Sequence, residues 1–128
     1  MASPEAWLRG AIEEADVPAY PLVCDEGTAP PFCIYSRTQT DRERSLEEPA
    51  GHPVGTFTLE VYADGYATVK ALADAIRQQV QNFNGTVDGC TIDETFLVNE
   101  VDGDPVFLEG RDRPTYLVEM TLGIRWQE

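Results

Sequence analysis

Lysine is nearly missing from this chain of 128 residues: Lys70 stands alone, and the other eight bases are arginines. Against nine bases stand 23 acids, a formal net charge of −14. So few cations argue against gripping nucleic acid by its phosphates. Histidine is almost as scarce. His52 lies between Gly51 and Pro53 in a charged loop and reads as a solvent-exposed loop histidine, since a general base needs a fixed position and an orienting partner. The three cysteines, Cys24, Cys33 and Cys90, are odd in number and form no Cys-x-x-Cys pair. They sit in strand-like runs and read as small buried hydrophobes. Too few His and paired Cys remain for a zinc cluster. The acids around Asp102-Gly103-Asp104 fail as a calcium loop, because Gly103 at the sixth position puts Val98 at the first. No Gly-rich phosphate loop occurs. No run reaches the ~18 apolar residues of a membrane helix, and Met1-Ala2-Ser3-Pro4-Glu5 lacks the marks of a signal peptide. The expectation is a non-enzyme without cofactor or metal, made in the cytoplasm and not bound to membrane.

Three readings fit the acidity. The surface could line a passage through which DNA slides without sticking, it could mimic DNA, or the source could be a halophile whose salt screens the charge.

What is present is a clean change of hydrophobic period. Phe57, Leu59 and Val61 alternate with Thr56, Thr58 and Glu60, a strand with one dry face. Asp64-Gly65 makes a turn, with Asp64 as candidate helix cap. Val69, Leu72, Ala73, Ile76, Val80 and Phe83 then form one helical stripe, which Asn84-Gly85 closes. Upstream, Ser3-Pro4-Glu5 opens a first helix carrying Leu8, Ala11, Ile12 and Ala15, with Glu13, Glu14 and Asp16 on its wet side. Tyr20–Cys24 and Phe32–Thr40 read as strands, the second with Phe32 and Ile34 opposite Cys33 and Tyr35. Cys90, Ile92, Phe96 and Val98 share one side of a fourth strand. Tyr116, Val118, Met120, Leu122, Ile124 and Trp126 share one side of a fifth.

The pattern predicts one α+β domain over 1–128: a single, mostly antiparallel β-sheet with two α-helices packed on one face, in the order α-β-β-β-α-β-β. Charged, Pro- and Gly-rich loops are expected at 41–55 and 102–114. The opposite sheet face reads as polar and Thr-rich: Thr56, Thr58, Glu60, Thr91, Asp93, Thr95, Asn99, Glu119 and Thr121. Leu97 and Leu117 interrupt it, as subunit contacts or as scattered surface apolar residues.

Four segments carry a resemblance: the short N-terminal helix with Tyr20-Pro21-Leu22-Val23, the edge Pro31-Phe32-Cys33-Ile34-Tyr35, the unit Thr58–Ile76 (TLEVYADGYATVKALADAI), and the closing Tyr116–Trp126 (YLVEMTLGIRW). Together they resemble the tail completion, or tail terminator, proteins of long-tailed, siphovirus-like viruses. The 41–55 loop exceeds that family's compact pattern. The resemblance implies a homohexameric ring at the head-proximal end of the tail tube of a virion built in the host cytoplasm. It implies that the ring ends tube polymerisation and docks the head connector, or neck protein, while DNA passes through without specific binding. On that reading Thr56, Thr58, Glu60, Thr91, Asp93, Thr95, Glu119 and Thr121 are candidates for the lumen wall. Arg42, Arg44, Leu46, Leu97, Leu117, Arg111 and Arg113 are candidates for contacts with neighbouring copies, the tail-tube protein or the connector. The alternatives are an acidic DNA-mimic inhibitor of a nucleic-acid-binding enzyme, or another neck or adaptor protein of the virion. Virus, prophage and domesticated particle all remain open as sources.

Overall fold

The computed structural model describes residues 3–23, 29–42, 51–107 and 113–127. Its elements run α1 (Pro4–Glu14), β1 (Ala19–Pro21), β2 (Phe32–Asp41), β3 (Val54–Ala63), α2 (Tyr66–Val80), β4 (Gly85–Val87), β5 (Cys90–Asp102) and β6 (Tyr116–Trp126). The strands form one six-stranded sheet in the order β1-β2-β3-β6-β5-β4. This is the expected α+β class, with two differences. β1 pairs parallel with β2, so the sheet is mixed. A short strand, β4, is added by a hairpin on β5.

That hairpin turns at Asp88-Gly89, both in the left-handed region (φ 50° and 79°). An Asp-Gly pair between two strand segments is a strong two-residue hairpin signal, and the sequence carried it.

Both helices bury their stripes against one sheet face. Leu8 and Ile12 of α1 and Val69, Ala73, Ile76 and Val80 of α2 meet Leu59, Val61, Met120 and Leu122 of the central strands. Each fully buried large aliphatic contributes about 1.5–3 kcal/mol before entropy is subtracted. Arg37 of β2 reaches this same side. Its guanidinium lies 4.7 Å from the Trp126 ring and 5.4 Å from that of Phe57, and it pairs with Glu5 of α1. One cation thus closes the core rim and fastens the first helix.

The ends of α2 differ from expectation. Gly65, not Asp64, takes the N-cap position, with no side-chain cap hydrogen bond. The helix stops at Val80, and Asn82 (φ 58°) takes the left-handed conformation. The stop has a tertiary cause. The Thr95 hydroxyl donates to the Val80 carbonyl and accepts from the Phe83 N–H (2.7 Å), while the Asn82 N–H donates to the Thr95 carbonyl. β5 therefore satisfies groups that the helix end leaves open. Phe83, freed from the helix, stacks on Trp7 of α1.

Candidate assembly surface on the uncovered sheet face

Away from the helices the sheet presents rows that run straight across four strands. One reads Ser36, Thr58, Thr121, Asn99. The next reads Ile34, Glu60, Glu119, Val101. A third reads Gln39, Thr56, Gly123, Phe96, and a fourth Asp41, Val54, Arg125, Glu94. At the far end Phe32, Tyr62 and Leu117 line up, with the Phe32 and Tyr62 rings stacked.

The second row is electrostatically costly. Glu60 and Glu119 stand directly opposite one another on the two central strands, and like charges so placed destabilise a sheet. The Tyr62 hydroxyl donates to Glu60 (2.8 Å), which offsets part of that cost.

Thr56, Thr58, Glu60, Glu119, Thr121 and Asn99 lie on this face. Thr91 is near its margin, its hydroxyl 2.9 Å from that of Thr86 across the β4–β5 hairpin. Asp93 sits at a β-bulge, where the Gln127 side-chain amide donates to it (3.1 Å) and the His52 ring bonds its other oxygen. These bonds hold the Asp93 carboxyl below the ordinary carboxylate range, the His52 bond most of all. The loop histidine is thereby a local tether.

Thr95 and Leu97 are corrections. Thr95 is 2% exposed on the helix side, and Leu97 packs against the core. The bulge between Ile92 and Glu94 inserts one residue, which reverses the facing of everything after it. Phe96 is thereby turned outward, flat over Gly123, where a Cβ would overlap its ring. A second bulge between Leu97 and Asn99 restores the original facing, returning Asn99 to the open side. Leu117 does lie on the open face and covers Gly103.

Arg42 and Arg113 are exposed. Arg44, Leu46, Arg111 and Cys24 lie outside the described residues. Cys33 and Cys90 are buried free thiols, and burial pushes Cys33 up to about 12, which removes it from thiolate chemistry at neutral pH. Among the described residues no group of three or more His, Cys, Asp or Glu could hold a metal ion, and no helix is long and apolar enough to cross a membrane.

No protein-family model matches the chain, and no curated protein matches it. Its fold is shared with a solved structure. A chain of the "Virion of native gene transfer agent (GTA) particle" superposes with a TM-score of 0.64 at 16% identity, over 96% of this chain and 86% of that one.

Proposed function

We propose that this chain is a structural protein of a virion or virion-like particle, acting as a ring at the head-proximal end of a tail tube. In this role it ends tube growth, offers the head connector a surface and lets DNA pass. The observation that carries the reading is the open sheet face, where Glu60 opposes Glu119 beside a row of uncharged hydroxyls and amides. A wall of this kind wets easily and repels phosphate. The fold shared with a chain of the gene transfer agent virion supports a place in such a particle. Copies related by a repeated head-to-tail contact would close a ring, multiplying the −14 carried by each. Arg42, Arg113, Leu117 and the 41–55 and 102–114 loops would serve contacts between copies or with tube and connector.

The test is assembly. Sizing and electron microscopy, alone and with a tube protein, should give closed rings of about six 14.2 kDa chains. Replacing Glu60, Asp93 and Glu119 together by Lys should leave the ring intact and make DNA delivery salt-sensitive. Normal delivery with unchanged salt response removes the lumen role. A persistent monomer that tightly blocks a DNA-binding enzyme replaces the ring by the DNA-mimic reading.

A further inference from the structure

Among the described residues both strand edges of the sheet are only partly capped, and the longer opening is on β5. β4 pairs with Cys90–Ile92 alone. Beyond it the Thr95 carbonyl takes the Asn82 N–H, and among the described residues no strand pairs with the outer edge through Asp102. Exposed apolar side chains gather on this same stretch: Phe96 (38%), Val98 (60%) and Val101 (46%). An open backbone edge beside apolar side chains is the arrangement that accepts an added strand.

The charge around the strip selects its occupant. Glu94, Glu100, Asp102 and Asp104 surround it, whereas the neighbouring cations Arg125, Lys70 and Arg77 are already paired with Glu94, Asp102 and Asp74. The acids gathered around the strip would draw in a basic segment and repel an acidic one. The bulges on either side of Glu94–Leu97 keep a long flat strand from lying along the whole edge. Asn99–Asp102, in regular register with β6, can take a short one.

We infer that the outer edge of β5, centred on Val98–Asp102, docks a short extended segment of a different protein in which basic and apolar residues alternate. The inference does not depend on the ring reading.

A synthetic peptide of alternating Val and Lys, about five residues long to span Val98–Asp102, tests it on the full chain. A twin peptide N-methylated along its pairing edge keeps the charge and cannot form the ladder. The unmodified peptide should slow amide exchange between Val98 and Asp102 and bind at least ~tenfold tighter than its twin. V98K/V101K, or V98S/V101S should the first variant unfold, should weaken binding by about tenfold or more without lowering Tm. Equal binding by the twin, or protection centred elsewhere, overturns the inference in favour of bulk charge. Concentration-dependent self-association that V98K/V101K abolishes overturns it in favour of a second copy.

Discussion

The two faces of the sheet are made by the same strands and obey different rules. On the helix side, Leu59, Val61, Val118, Met120 and Leu122 are sealed from water, and the buried Thr95 hydroxyl both donates and accepts. On the open side, Thr58 stands beside Thr121, and Glu60 beside Glu119, a like-charge pair that sacrifices stability. The first face is what folding demands. The second departs from that demand at the Glu60–Glu119 pair, and the proposed lumen role rests on that departure.

The contrast can be attacked from its strongest side first. Leu59→Ala should cost about 2–5 kcal/mol in denaturant unfolding, because a cavity remains under α2. Thr58→Ala, one residue away on the open face, should stay within about 0.5 kcal/mol. Similar losses at the two positions would mean the faces are not distinct.

Thr95→Val comes next. It keeps the shape and removes the hydroxyl that joins Val80 to Phe83. A loss of about 1–3 kcal/mol is expected, with faster amide exchange at the end of α2. A neutral result would return Thr95 to the status of an incidental polar residue.

Glu119→Gln should act in the opposite direction. Relieving the cross-strand repulsion should stabilise the chain by about 0.2–1 kcal/mol, most clearly at low salt. A loss of stability would show that the acid pair is structural.

The smallest effect concerns pH. The bonds from His52 and Gln127 lower the Asp93 carboxyl, so their contribution is present above the unfolded-state value and lost as pH falls through the folded one. Below about pH 4, unfolding of the wild type should therefore depend more steeply on pH than that of Asp93→Asn. Parallel acid limbs would mean that the tether to the 41–55 loop contributes nothing.

Much of this molecule is legible in the chain because its periods are long and unbroken. Six apolar residues in strict alternation bound β6 at Tyr116 and Trp126, and the stripe through Val69, Ala73, Ile76 and Val80 marks the body of α2, though not its ends. The acid and threonine positions of β3 and β6 follow from the same alternation. Alternation misleads where the period breaks. No residue type announces the bulge at Asp93, and uninterrupted alternation puts Thr95 and Leu97 on the wrong face and Phe96 and Val98 in the core. Arg37 was equally silent, because an arginine in a polar stretch of strand looks solvated until two rings and Glu5 are brought under it.

By itself, then, the sequence determined the α+β class, the helices, the central strands and the acidic character of the exposed surface. These depend on local periodicity and on charge count, which are properties of neighbours along the chain. Only the tertiary structure decided the parallel pairing of β1, the facing of β5 through its bulges, and the opposition of Glu60 to Glu119 within an ordered row. Those depend on which strand lies beside which, and register between strands is set by packing across the whole sheet.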